Sequence, residues 1–160
     1  MNAYELRKYF DYQAGELIWK EKSNRKVVVG KQVKTYLSNS GYRLFCFMGK
    51  TRIHHRMIFL WWHGYLPPQV DHIDGNPANN RIENLRACNQ YQNQANRKAN
   101  KSNKSGYKNV NWTDKGQCWE VKFRHDGKQL HFGYFKDIEL AGLVAVEARN
   151  KYHKEFANHG

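Results

Sequence analysis

An imidazole next to a carboxylate, followed at once by a tight turn, is the arrangement in this chain best suited to chemistry. It occurs at Asp71 and His72, which open the stretch VDHIDGNPANNRIENLRACNQYQN. An imidazole with an ordinary pKa near ~6.5 can take a proton from water at neutral pH. Hydrolysis of a phosphodiester needs such a base. It also needs positive charge beside the phosphoryl oxygens and the departing 3′ oxygen, which a divalent cation supplies. Successive side chains on a regular strand face opposite ways, so Asp71 and His72 serve one site only where the pleat breaks down. Asp74-Gly75 and Asn76-Pro77 are turn pairs that supply the break. Beyond the loop, Ile82 and Leu85 among polar neighbours predict a short helix within 81–93, so the unit reads as strand, turn, helix.

Asp71-His72, then Asn84 within ENL, then Asn93 together resemble the HNH endonuclease signature, with its ββα-metal fold. The resemblance implies His72 as general base, Asn84 as the structural asparagine of the motif, and Asp71 with Asn93 as ligands of one divalent metal ion. Asn93 stands where the eponymous pattern has its last His, as in one phage and intron-encoded branch of the family. A carboxylate with an amide carbonyl is an all-oxygen set that favours Mg²⁺ or Mn²⁺ over Zn²⁺, with DNA phosphate and water completing the shell. The competing reading makes 71–80 an Asx-rich loop that caps the following helix.

Composition narrows the partner. The 160 residues, 40% hydrophobic, suffice for one ordinary domain or two small ones. The formal charge is +13, and residues 1–97 and 98–160 are each basic, which favours a polyanion along the whole molecule. Five Trp, ten Tyr and many Asn lie among the charges. Cys46, Cys88 and Cys118 are odd in number and lack C-x-x-C spacing, which argues against a zinc ribbon and for a reducing compartment. No window approaches a membrane span. The expectation is a soluble intracellular protein, cytoplasmic in a bacterial host if phage-encoded, without a small-molecule cofactor.

The elements that must position the motif are read from periodicity in residues 1–53. A short helix is expected over 4–10, a turn at Ala14-Gly15, a strand at 17–19, and two or three further strands in VVVGKQVKTYL and YRLFCFMGKTRIHH, with turns at 39–41 and Met48-Gly49. HRMIFLWWH predicts a helix ending at Gly64 and delivering the chain to the strand at Val70. The run from this helix through GYLPPQVDH also resembles the HNH branch. His54, His55 and His63 are read as surface or packed histidines rather than extra ligands. QANRKANKSNKS is nearly devoid of apolar residues and reads as a basic linker at 98–105, with Arg97, Lys98, Lys101 and Lys104 available to phosphates.

Residues 106–160 read as a strand, a hairpin turning at Asp126-Gly127, and an amphipathic helix. Alternation sends Trp119, Val121 and Phe123 to one face and Glu120, Lys122 and Arg124 to the other, the first set packing on Leu140, Ala141, Val144, Ala145 and Ala148. SGYKNVNW, W-x-V-x-F-R, LHFGYF and H-x-x-F-A resemble the ethylene-response-factor type DNA-binding domain of the Apetala family. In that family a three-stranded sheet enters the major groove. The resemblance implies DNA contacts from Lys108, Asn111, Lys115, Lys122, Arg124, Gln129 and His131.

The expected fold is α+β: an N-terminal ββα-metal HNH nuclease domain over 1–97, preceded within it by antiparallel strands at 1–53, and a small three-stranded antiparallel sheet packed on one helix. The expected function is a metal-dependent endonuclease of homing or phage HNH type, acting on double-stranded DNA and targeted by residues 106–160. The rival expectation is a DNA-binding regulator on a degenerate nuclease fold.

Overall fold

The computed structural model describes residues 1–100 and 102–160. Lys101, one of the linker lysines, lies outside them. The chain divides into two compact units, 1–88 and 89–160.

The first unit begins with α1 (Ala3–Tyr9), held at its start by a reciprocal capping box between Asn2 and Glu5. β1 (Phe10–Gln13) and β2 (Glu16–Trp19) form a hairpin through Ala14 and Gly15, both at positive φ. β3 (Tyr36–Leu37), β4 (Arg43–Phe47) and β5 (Lys50–Ile53) form an antiparallel sheet with β4 central. α2 (His54–His63) follows, and Gly64 ends it in the left-handed conformation at φ 81°. β6 (Gln69–His72) then pairs antiparallel with β7 (Leu85–Cys88), the two joined by the Asx-rich loop and a 3₁₀ turn at Ile82–Asn84.

The core of this unit is aromatic and aliphatic: Leu6, Phe10, Leu17, Phe45, Phe47 and Ile58 are fully enclosed, with Val70, Ile82 and Leu85 of the β6–β7 region packed into the same cluster. Polar groups lock its layers. Trp61 Nε1 donates to the Phe10 carbonyl at 2.8 Å, and the Arg7 guanidinium donates to the carbonyls of Trp61 and Trp62 at 2.7 and 3.1 Å. The latter pair satisfies acceptors that the end of α2 leaves without intrahelical partners. Residues 1–53 are therefore the wall against which α2 and β6 are held.

Three local expectations change. Val27–Val29 form no strand: Val28 and Val29 are exposed, the chain turns at Gly30 (φ 81°), and only Gln32 makes an isolated bridge, to Ile18. β-Branched residues favour a strand only when a neighbour supplies the pleated surface to pack on, and of the three valines only Val27 is buried. Phe10, expected to end the helix over 4–10, instead opens the strand Phe10–Gln13. The helix expected within 81–93 is broken in two by β7, because residues 85–88 pair antiparallel with β6. Helical geometry resumes only at α3 (Gln90–Ala95), where Asn89 and Gln92 form a second capping box.

The second unit contains α3, an irregular segment, β8 (Val110–Thr113), β9 (Cys118–His125), β10 (Lys128–Phe135) and α4 (Ile138–His153), closed by a 3₁₀ turn at Lys154–Phe156. The sheet is antiparallel with β9 central, and the β9–β10 hairpin turns at Asp126-Gly127, both at positive φ. Val110, Val121, Ala141 and Ala145 are its buried centre. Gly142 on α4 has a specific reason to be glycine: a Cβ there would lie 2.6 Å from the Tyr107 ring. Leu140, expected to pack inward, is half exposed.

Residues 98–100 and 102–105 belong to the second unit, as does α3. Lys108 explains part of this: its buried ammonium donates to the carbonyls of Ala95 (2.7 Å), Arg97 and Asn158 (3.0 Å), tying the end of α3 to the chain terminus. Arg149, also buried, donates to the carbonyl of Lys108 and to Asn109. Ser105 Oγ lies within hydrogen-bond reach of the Tyr107 and Val110 carbonyls, at 2.9 and 2.8 Å, and its one proton serves one of them at a time. A stretch poor in apolar residues is thus ordered by polar groups bonding to backbone.

Candidate active site

β6 carries Asp71 and His72 at successive positions, both buried, and the turn opens at Ile73. The Gly75 N–H donates to the His72 carbonyl at 2.9 Å, so the chain reverses directly after the imidazole. Asp71 lies opposite Arg86 of β7, whose Nε and Nη2 donate to Asp71 Oδ2 at 3.1 and 2.9 Å. His72 instead meets aromatic rings: His55 edge-on with ring centres 4.7 Å apart, and Tyr42 stacked at 6.2 Å.

Asn84 closes the loop on itself. Its Nδ2 donates to Asp74 Oδ1 at 2.9 Å and to the Asn79 carbonyl at 2.8 Å, its Oδ1 accepts from the Asp74 N–H at 3.0 Å, and its own carbonyl accepts from Ile73 N–H at 2.8 Å. Asp74 also accepts from Asn76 and Asn79. Partial burial pushes the Asp74 carboxyl upward, yet the hydrogen bonds from Asn79, Asn76 and Asn84 hold it below its ordinary value. The Asx residues of the loop therefore fix its shape, and a short amide at position 84 bridges its two ends.

Sequence pattern did not reveal a further group of residues behind His72. His72 Nε2 lies 2.9 Å from Asn80 Oδ1, and Asn80 Nδ2 lies 3.2 Å from His54 Nδ1. His54 Nε2 faces Glu16 Oε2 at 3.8 Å, and Glu16 is gripped by both terminal nitrogens of Arg43 at 2.5 and 2.8 Å. His54 and Asn80 are buried. Burial, with the charge of Arg43, pushes His54 down to about 4 against the opposing pull of Glu16. Burial, then the neighbouring His72, Arg56 and His54, push His55 down to about 3, while a hydrogen bond to the Val70 backbone opposes this. Both are neutral imidazoles at neutral pH. The β1–β2 turn presses on this group from outside, since a Cβ added to Gly15 would lie 3.0 Å from the Arg81 backbone nitrogen.

Asn93 sits on α3, four residues after the Asn89 cap and within the second unit. Among the described residues no three His, Cys, Asp or Glu side chains cluster as a metal site. The candidate donors are a carboxylate and an amide, an oxygen set whose chemistry fits a hard divalent ion that keeps water and substrate oxygens in its shell.

On the sheet of the second unit, register places Asn111 and Tyr134 opposite Glu120, His131 opposite Lys122, and Gln129 opposite Arg124, so these side chains share the face away from α4. Glu120 pairs there with Lys122 at 2.5 Å and His131 at 3.4 Å. Lys115 is exposed in the β8–β9 turn. Lys108 does not share this face: it is buried, and its three N–H groups meet three carbonyls.

A family model described as HNH endonuclease matches residues 52–95, the span from β5 to α3. Protein 3.8 of Escherichia phage T7 is 35% identical over 88 residues, which is 55% of this chain and 72% of that protein. The uncharacterized HNH endonuclease L560 of Acanthamoeba polyphaga mimivirus is 39% identical over 79 residues, 48% of this chain and 42% of that protein. No solved structure matches. Among the described residues no helix is long and apolar enough to cross a membrane.

Proposed function

This chain belongs to the family of the phage T7 Protein 3.8 and carries an HNH endonuclease domain, and from that premise we propose that it is a metal-dependent endonuclease cutting double-stranded DNA, of homing or phage type. The observation that carries the reading is His72: an imidazole at the start of a self-bonded Asx loop, backed by a buried polar chain and lying within the matched span. In this reading His72 takes the proton from the attacking water. Asp71 and Asn93 are the residues that would hold one divalent ion, Mg²⁺ or Mn²⁺, and Asn84 keeps the loop closed. When bound, such an ion supplies positive charge to the phosphoryl oxygen and the leaving 3′ oxygen.

The test is cleavage of duplex DNA with Mg²⁺ or Mn²⁺, with and without chelator, followed by mapping of 5′ ends on both strands. We expect cleavage that chelator abolishes and that Asp71→Ala loses at low metal concentration. Unchanged metal dependence in Asp71→Ala removes that residue from the site. A second reading, a DNA-binding regulator on the same fold, draws on one observation: the Arg86 guanidinium already neutralises Asp71. Tight DNA binding with no cleavage under any divalent ion favours it.

The outward sheet face of the second unit is proposed as the targeting surface, of ethylene-response-factor type, with Asn111, Lys115, Lys122, Arg124, Gln129 and His131 toward DNA and Lys108 reassigned to holding the fold. Glu120 within this face offsets part of its positive charge, so affinity depends on the few cations that remain. The double variant Lys122→Ala/Arg124→Ala should weaken duplex binding about tenfold at moderate salt. It should also flatten the dependence of log affinity on log salt by about two, one per lost phosphate contact. Electrophoretic mobility shifts over a salt series measure both. An unchanged slope places the DNA elsewhere.

A further inference from the structure

The geometry points to Asn80 as the positioning residue that decides which ring nitrogen of His72 carries the proton, acting as the last member of a relay that begins at Arg43 and Glu16. This rests on the reading of His72 as the base. A neutral imidazole has one N–H and one lone pair, and only the lone-pair nitrogen can accept a proton from water. The relay fixes the choice by successive donor and acceptor matches. Arg43 holds both oxygens of Glu16, so the carboxylate presents a fixed acceptor to the nearby ring. His54 Nε2 is 3.8 Å from Glu16 Oε2, and it is fully buried with no hydrogen-bond partner among the described residues. A lone pair there would be repelled by the carboxylate, whereas an N–H is attracted. His54 is neutral, so its Nδ1 is the acceptor.

Asn80 must therefore turn its NH₂ toward His54 Nδ1, and its Oδ1 is left facing His72 Nε2 at 2.9 Å. An acceptor at that distance requires the N–H of His72 on Nε2. The basic lone pair is then on Nδ1. Flipping the Asn80 amide would break both matches at once, placing an N–H against Nε2 of His72 and a carbonyl against a lone pair of His54. Burial of Asn80 and His54 excludes water that could mediate a different arrangement. The same residues explain why an apparently unrelated hairpin and strand are packed behind the loop: Glu16 comes from β2 and Arg43 from β4.

The experiment uses the full chain labelled with ¹⁵N histidine, with long-range ¹H–¹⁵N correlation in mildly alkaline buffer and His72 assigned by its absence in His72→Gln. The parent should show His72 as the single Nε2–H tautomer. Asn80→Asp keeps an acceptor opposite Nε2 and should keep that tautomer. Asn80→Ala should give a mixture and lower kcat for cleavage about 10- to 100-fold at unchanged KM, the range seen when an orienting partner of a catalytic group is lost. Asn80→Asp should restore much of that rate. Should Asn80→Ala fail to fold, Glu16→Gln carries the test: Arg43 claims the amide oxygen, the NH₂ faces His54, and the relay reverses toward the Nδ1–H tautomer of His72. A parent with His72 as Nδ1–H overturns the proposal, as does an Asn80→Ala or Glu16→Gln protein with the parental tautomer. A parent that shows the Nε2–H pattern and cuts no DNA refutes the nuclease reading while leaving the relay in place.

Discussion

His72→Ala should cleave DNA about 10²- to 10⁴-fold more slowly than the parent and hold it almost as tightly. The range is what a positioned general base contributes to a proton transfer, and nothing else in the pocket replaces it. His55 is the adjacent imidazole, but burial has pushed it down to about 3, so its lone pair is a poor proton acceptor. His54 is weaker than an ordinary imidazole for the same reason and is directed at Asn80 and Glu16. On the proposed function, DNA affinity is by contrast expected to be spread over many of the 27 Lys and Arg residues, of which His72 is not one. Because His72 is buried against Tyr42 and His55, the alanine also leaves a cavity. His72→Gln, closer in volume, separates the lost base from lost packing. Single-turnover cleavage and mobility shift on one mapped duplex measure the two quantities. Equal losses of cleavage and binding in both variants would falsify the assignment of His72 as base.

What was legible in the sequence was what local chemistry decides. Gly64, Met48-Gly49 and Asp126-Gly127 mark a helix end and two hairpins because few residues adopt positive φ cheaply. Asp71, His72 and Asn84 stand out because a carboxylate, an imidazole and an amide flank one Asx-rich turn. What was not legible depends on partners distant in the chain. Ile82 and Leu85 have a spacing that a helix allows, but Leu85 belongs to a strand because residues 69–72 are there to pair with it. Lys108 looks like any basic residue before a strand, and only the carbonyls of Ala95, Arg97 and Asn158 make it an internal tie. Glu16, Arg43, His54 and Asn80 are spread over 65 positions and follow no spacing rule. Each is an ordinary polar residue until the fold brings it to the next.

The buried histidines that frame the site also make the first unit labile to acid. His54 and His55 are pushed from the ordinary 6.5 down to about 4 and about 3, in both cases chiefly by burial. The unfolded chain therefore binds protons that the folded chain refuses. Stability is complete above about pH 7, begins to fall as pH drops through the unfolded value of 6.5, and stops falling only near the folded values of 4 and 3. Within that window each histidine costs the folded state roughly 1.4 kcal/mol per pH unit, so at pH 5 each removes about 2 kcal/mol. Against a typical domain stability of about 5–15 kcal/mol the pair is a large fraction. His153 in the second unit is lowered to about 4, first by burial and then by His125, Lys108 and Arg149, and acts in the same direction. Urea unfolding at pH 7, 6 and 5 should show the midpoint dropping at each step. His54→Gln should flatten the pH dependence, because glutamine cannot take up the proton, while lowering stability at pH 7 through the loss of the His54 contact to Asn80. A midpoint that is constant between pH 7 and 5 in the parent would show that water reaches His54 and His55, and the enclosed pocket described behind His72 would then be wrong.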